Sequence, residues 1–114
     1  MSTKKPQNLA ISIQQPYVHR IFNKTKKVEY RTVNTHKRGV VYIYASLGKS
    51  REGDCKRNED FANLPRGVII GTVEVIDCVR YGHRSYGYVL KNPRRFRRAI
   101  KPKKKPQPVW FIPF

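Results

Sequence analysis

The chain has 114 residues and a formal charge of +18 at neutral pH, from 25 Lys and Arg against seven Asp and Glu. This length suits one compact domain with its own core, and the charge predicts a polyanionic partner, because a strongly basic domain attracts phosphate backbones. Two cysteines exclude a disulfide framework, and no apolar run approaches the roughly 20 residues of a membrane span. We therefore expect an intracellular protein, cytoplasmic by default.

The start of the chain predicts an arm, a strand and a helix. Residues 1–8 predict a loose basic arm, and residues 9–13 predict a first strand. Pro16 then indicates the start of a helix. The N–H of the first helical residue has no acceptor within the helix, so proline, which lacks this N–H, loses no hydrogen bond there. The helix should pack through an apolar stripe at helical spacing. The stripe consists of Tyr17, Val18, Ile21 and Phe22.

A second strand is predicted over residues 27–31, where the hydrophobic period changes to two. This alternation puts Glu29 and Arg31 on the same face of the strand. Glu29 is the only acidic residue among the first 51 positions, which hold eleven Lys or Arg. Such an isolated carboxylate indicates either a buried ion pair or a chemical role.

The middle of the chain predicts two further strands and a polar connection between them. Residues 40–45 are apolar on both faces, as in a central strand, and residues 67–79 give the longest strand signal. Gly71 indicates a bulge of the kind that bends small barrels. The connection, residues 46–66, is polar and has a weak helical pattern at 52–62.

The C-terminal third, residues 78–114, holds eleven Lys or Arg and no acidic residue. A turn and a strand over residues 81–90 lead into a basic segment at 91–106. This segment has neither helical nor strand periodicity, so we predict an extended loop that follows phosphates. A last strand is predicted within 108–114. The candidate phosphate-binding residues of the basic segment are Arg94, Arg95, Arg97, Arg98, Lys103, Lys104 and Lys105.

Several short strands with one or two helices predict an α+β fold, a small and partly open β-barrel of five or six strands. Five segments, in order, resemble the blocks of the ASCH domain, a family of the PUA-like barrel superfamily. They are AISIQQPY, KTKKVEYR, HKRGVVYIYAS, LPRGVIIGTVEVIDC and IKPKKKPQPVWFI. The resemblance covers residues 9–114 and implies a β-pseudobarrel in which the start of the helix borders a charged cleft.

The segment KTKKVEYR is similar to the family signature GxKxxExR, so that Lys26, Glu29 and Arg31 fall on the defined positions of that signature. Lys24 stands where the signature has glycine. If that glycine takes a left-handed conformation after the helix, a lysine in its place costs roughly 1 kcal/mol.

Lys26, Glu29 and Arg31 form the first candidate site. An ammonium group near the Glu29 carboxylate would hold it ionised. Glu29 can then accept from a base amino group or act as a general base, while Lys26 holds a phosphate or an oxyanion. The alternative is a structural salt bridge that fixes the helix to the barrel.

Other candidate contacts to nucleic acid surround this site. The helix start offers unpaired N–H groups beside Gln15, and Tyr17 can stack on a base, although its place on the apolar stripe equally suits the core. Ser46 ends a strand at the predicted barrel mouth, and Lys24 adds a charge at the helix end. The three histidines are scattered, and we expect neither a metal nor a cofactor.

The resemblance also raises enzyme hypotheses. In N4-acetylcytidine amidohydrolases of this group, a threonine three residues after the signature lysine is the nucleophile, and Glu29 occupies that position here. This replacement disfavours amidohydrolase activity. A metal-independent ribonuclease needs only a base and a cation, which Glu29 with Lys26 or Arg31 would supply.

We therefore predict a monomeric domain that binds nucleic acid, RNA in preference to DNA, in the charged cleft and along the basic C-terminal segment. The metal-independent ribonuclease is the first alternative. The second alternative is a basic subunit that docks onto a larger nucleoprotein complex. We expect no membrane partner.

Overall fold

A computed structural model describes residues 5–48, 56–57 and 59–114, without the side chain of Phe61. Six strands and one α-helix account for the regular structure of this part of the chain, with one 3-10 turn at Phe61–Asn63. The elements are β1 (Ala10–Ile13), α1 (Tyr17–Phe22), β2 (Val28–Arg31), β3 (Gly39–Ala45), β4 (Val68–Gly82), β5 (Ser85–Ile100) and β6 (Trp110–Phe111).

The six strands form one mixed sheet in the order β2-β5-β4-β3-β1-β6. β1 runs parallel to β3, and the other neighbouring pairs are antiparallel. The sheet curls without closing, so the predicted small, partly open α+β barrel is confirmed. Pairing of Ala10 with Phe111 and of Ile11 with Trp110 brings the two ends of the chain together.

The bulge predicted at Gly71 is present in β4. The register between β4 and β5 shifts at Gly71, and a Cβ added there would collide with the carbonyl oxygen of Arg94 and with the ring of Phe22. Only glycine therefore allows this close approach of the two strands. The bend lets the long hairpin of β4 and β5 wrap around the core.

The core lies between the curled sheet and α1. Val18 and Ile21 of the predicted apolar stripe are buried, and Tyr17 and Phe22 pack against the core while staying partly exposed. Tyr88 on β5 is fully buried, and its hydroxyl donates to the carbonyl oxygen of Val33 at 2.7 Å. Burial raises the pKa of Tyr88 above its usual value.

Helix α1 ends in a Schellman motif. The backbone N–H of Thr25 donates to the carbonyl oxygen of Arg20 at 3.0 Å, and that of Lys24 donates to Ile21 at 3.1 Å. Lys24 occupies the left-handed position of this motif, with φ +69°. The expected left-handed backbone at the glycine position of the signature is therefore present, with a lysine in it.

The prediction of an extended loop over residues 91–106 is wrong for residues 91–100. These residues continue β5 alongside β4, with Lys91 opposite Glu74 and Arg94 opposite Thr72. Backbone pairing with β4 holds this part of the strand, whereas most of its side chains are exposed. A strand with nearly all of its side chains in solvent shows no alternation of apolar and polar residues, which is why its sequence lacks a strand signal. Residues 101–106 lie outside the strands.

Other predictions fall partly or wholly outside the described residues. The first four residues of the predicted arm and Cys55 lie outside them, as do residues 52–55 and 58 of the weak helical pattern at 52–62. The end of the arm is not loose, because the backbone N–H of Gln7 donates to Val40 and Asn8 bonds to Phe114. Within the described ranges, no helix is long and apolar enough to cross a membrane.

Candidate nucleic-acid interface

A cavity of about 680 Å³ opens between the end of β1, the start of α1, strand β2, the end of β3 and the segment 105–108. We call this cavity the cleft. Its volume lies in the range of small-molecule sites and is sufficient for a nucleoside. Five predicted site residues line the cleft, namely Tyr17, Glu29, Arg31, Ser46 and Lys105.

Glu29 is held between two cations in the wall of the cleft. Its Oε2 accepts from Arg31 Nε at 2.8 Å, and its Oε1 lies 3.5 Å from Lys26 Nζ. The residue is 7% exposed. The alternation of β2 puts Glu29 and Arg31 on one face, as predicted, and the short turn after α1 brings Lys26 to the same carboxylate.

Arg31 also ties the site to the fold, because its second guanidinium nitrogen donates to the carbonyl oxygen of Ser12 on β1 at 2.6 Å. The pair of Glu29 and Arg31 is thus both a structural salt bridge and part of the cleft wall. With Lys26, which pairs with Glu29 but does not line the cleft, the three side chains carry one net positive charge.

Lys26 does not line the cleft. Its Nζ lies 5.5 Å from the ring centroid of Tyr17 and 5.2 Å from that of Tyr30, in cation–π contact with both rings. Its side chain is 16% exposed. Lys26 therefore contacts Glu29 and the two tyrosines without lining the cleft, a placement that does not favour the predicted contact of Lys26 with a phosphate inside the cleft.

Gln15 is buried and serves the fold. Its Oε1 accepts from the backbone N–H of His19 at 3.0 Å, and its Nε2 donates to the carbonyl oxygen of Pro65 at 2.9 Å. Both ends of its amide are used inside the protein, so this placement does not favour the predicted contact of Gln15 with nucleic acid. The side chain instead fastens the start of α1 to the loop before β4.

The basic C-terminal segment reaches the cleft at Lys105. Lys103 and Lys104 are exposed, and their backbone N–H groups bond to the carbonyl oxygen of Pro113. The four arginines of the segment are exposed along β5, and they line neither the cleft nor the smaller cavity described next. They are Arg94, Arg95, Arg97 and Arg98.

A smaller cavity of about 260 Å³ lies at the other end of α1, and we call it the lysine pocket. Four lysines line it, together with apolar side chains from α1 and β5. The lining residues are Ile21, Lys24, Lys26, Lys27, Leu90, Lys91, Asn92 and Pro93. The sequence placed Lys24 among the contacts around the first candidate site and gave no indication of Lys27 or Lys91. The departure of Lys24 from the glycine of the signature was the available signal.

Two tyrosines of the cleft were also missed. Tyr30 lines the cleft although 63% of it is exposed, and Tyr44 lines it although burial leaves only 4% exposed. Burial raises the pKa of Tyr44, so its hydroxyl stays protonated at neutral pH. Tyr44 therefore offers the cleft a neutral hydroxyl. Strand alternation alone could not show that Tyr30 and Tyr44 both line the cleft.

The model of the ASCH domain family matches residues 11–107 of the chain, a range that contains the signature residues and the lining of both cavities except Pro108. The chain belongs to the ASCH domain family. The family resemblance expected from five sequence segments is thus confirmed. No curated protein matches this ASCH domain.

Proposed function

We propose that this ASCH domain binds unpaired RNA, with one unstacked base in the cleft and the flanking phosphates on basic side chains. The observation that carries the proposal is the Glu29 carboxylate, which lines the cleft while two cations hold it in place. An ionised carboxylate only accepts hydrogen bonds. It therefore favours a base edge that presents an amino or imino N–H.

Aromatic rings in the cleft support the base-binding part of the proposal. Tyr17 and Tyr30 both line the cleft, and single-stranded RNA is commonly recognised by stacking of splayed bases on such rings. Lys26 Nζ is in cation–π contact with both rings. The site thus offers a base both a stacking surface and a fixed acceptor.

Positive charge around the cleft supports the phosphate-binding part. The net charge is +18, Lys105 stands in the wall of the cleft, and the exposed arginines of β5 add to the field. Such contacts are insensitive to sequence, because the phosphate groups of all nucleotides are chemically identical. RNA is favoured over DNA by the relation of ASCH domains to the PUA-like superfamily.

The salt dependence of RNA binding tests this proposal. We expect the affinity for a single-stranded RNA of about 12 nucleotides to fall linearly on a plot of log K against log salt. Four contacted phosphates would weaken binding about fiftyfold between roughly 50 and 200 mM salt. Binding that barely responds to salt would contradict a phosphate-dominated interface and would favour docking onto a protein component of a nucleoprotein.

A metal-independent ribonuclease is the second candidate function, because Glu29 with Arg31 meets the minimum need for a base and a cation. Both Glu29 oxygens already face a cation, which favours a fixed acceptor over a base that must take a proton. We therefore expect intact RNA after incubation with the purified protein in chelator. Cleavage that disappears in Glu29→Gln would reverse this preference.

A further inference from the structure

Four lysines from two parts of the fold line the lysine pocket. Lys24, Lys26 and Lys27 come from the turn after α1, and Lys91 comes from β5. The floor includes Ile21 and Leu90, which are 1% and 5% exposed. An apolar floor lowers the local dielectric response, so a charge bound above it interacts more strongly with the lysines than it would in water.

Two walls of the lysine pocket have an unusual backbone. Non-glycine residues with positive φ number three in the described part of the chain, and two of them, Lys24 at +69° and Asn92 at +54°, line this pocket. Asn92 lies where β5 gains one residue on β4, since Glu74 pairs with Lys91 and Thr72 with Arg94. Left-handed residues and bulges are concentrated at functional sites, where they redirect side chains.

Positive charge exceeds counter-charge around the lysine pocket. Glu74 lies at its edge, where its Oε1 accepts from Asn92 Nδ2 at 3.2 Å and its backbone pairs with that of Lys91. Among the described residues, the ion pairs include Lys26 but none of Lys24, Lys27 and Lys91. The carboxylate that pairs with Lys26 is Glu29, which faces the cleft. Four lysines against Glu29 and Glu74 leave an excess of positive charge, and an anion in the pocket would offset the repulsion among the lysines.

We propose that the lysine pocket is a phosphate-binding site, distinct from the cleft, that takes a phosphate of the bound RNA strand next to the base in the cleft. The recognised chemistry is a phosphate oxyanion held by charge-assisted hydrogen bonds from lysine. Its assignment to RNA rests on the proposed function. Lys26 joins the two sites, because it lines the lysine pocket and pairs with the carboxylate of the cleft.

A titration with inorganic phosphate, at constant ionic strength in chloride, tests the pocket without RNA. We expect saturable shifts in the amide NMR signals of residues 24–27 and 90–92. Lys24→Gly and Lys91→Gln should each weaken phosphate binding about tenfold, which is the loss of one charge-assisted hydrogen bond. Lys24→Gly should fold, because glycine suits a positive φ. Lys5→Gln removes the same charge from an exposed residue outside both cavities and should change nothing.

The RNA measurement separates this proposal from the proposed function. With single-stranded RNA, Lys24→Gly should reduce the salt slope by about 0.7, the value of one phosphate contact. It should leave the preference for a base over an abasic site unchanged. Phosphate shifts spread evenly over the basic surface, or unchanged in Lys24→Gly, would overturn the lysine pocket even if RNA binds in the cleft. Saturable phosphate binding without any RNA binding would support the pocket and remove the proposed function.

Discussion

At Lys24, the backbone conformation favours glycine, whereas the lysine pocket uses the charge of the side chain. The residue holds φ +69°, a conformation that costs a non-glycine residue about 1 kcal/mol. Its side chain in turn supplies one of the four charges of the lysine pocket. A lysine at this position is poor for stability and useful for binding an anion, so the two effects can be measured separately.

Lys24→Gly should raise the free energy of unfolding by about 1 kcal/mol, because glycine relieves the left-handed strain. Urea denaturation followed by circular dichroism measures this change. The matched control is Lys27→Gly, which removes the same charge from the same pocket at a residue without a positive φ. That variant should be no more stable than the wild type. A Lys24→Gly protein that is less stable than the wild type would contradict the strain argument.

Glu59 gives the fold a sensitivity to acid. Arg20 donates to both of its carboxylate oxygens, at 2.8 and 2.9 Å, and the Glu59 side chain is 3% exposed. These hydrogen bonds from the Arg20 guanidinium lower the pKa of Glu59 to about 2. An unfolded glutamate titrates near roughly 4.3. The stabilisation is therefore complete above that value and is lost as the pH falls toward about 2.

Glu59→Gln should lower the free energy of unfolding at pH 7 by on the order of 2 kcal/mol. The difference between the variant and the wild type should shrink as the pH falls from about 5 to about 2, since the wild-type carboxyl then takes up a proton. Thermal unfolding at a series of pH values measures this. A difference that stays constant across this window would show that Glu59 does not carry the acid sensitivity.

At the residue scale, spacing along a strand correctly predicted which side chains share a face. Strand alternation alone put Glu29 beside Arg31, and their side chains are in contact at 2.8 Å. It did not show where Gln15 lies, because the sequence indicates a helix start but not that Pro65, in the loop before β4, packs over it. A contact between residues 50 positions apart has no local signature.

At the scale of elements, the long hairpin of β4 and β5 depends on the close approach of the two backbones at Gly71. Gly71→Ala should lower the free energy of unfolding by about 2 kcal/mol, because the added methyl group meets the backbone of β5 and the ring of Phe22. Chemical denaturation measures this change. Gly82→Ala is the control at the far end of the same strand, where a Cβ meets open space. We expect that variant to stay within about 0.5 kcal/mol of the wild type. Equal losses at both glycines would contradict the role of the bulge.

Most helices and strands could be predicted, because the apolar residues of each follow a pattern typical of that element. The stripe of α1, the alternation of β2 and the apolar runs of β3 and β4 are local signals of packing against one core. The second half of β5 has no such signal, because residues 91–100 are held by backbone bonds to β4 while their side chains meet solvent. The lysine pocket was missed for the same reason, since it forms only where that strand passes the turn after α1.

At the scale of the whole molecule, pairing of β1 with β6 joins the two ends of a chain whose charge is unevenly distributed. Residues 52–77 hold six of the seven acidic residues, and residues 78–114 hold none. The segment 105–108, with Lys105, forms one wall of the cleft, and Glu29 stands in another wall. The tertiary fold thus places the one acidic residue of the first 51 positions opposite part of the basic C-terminal segment.

The central claim is that Glu29 reads an unstacked base in the cleft. Its most direct test compares binding of a single-stranded RNA with binding of the same RNA carrying one abasic site, in wild type, Glu29→Gln and Asp77→Asn. Asp77→Asn removes the same charge from an exposed carboxylate outside the cleft. We expect the wild type and Asp77→Asn to bind the intact RNA about tenfold more tightly than the abasic RNA, and Glu29→Gln to lose most of this preference. Equal preferences in all three proteins, or no preference in the wild type, would contradict the claim.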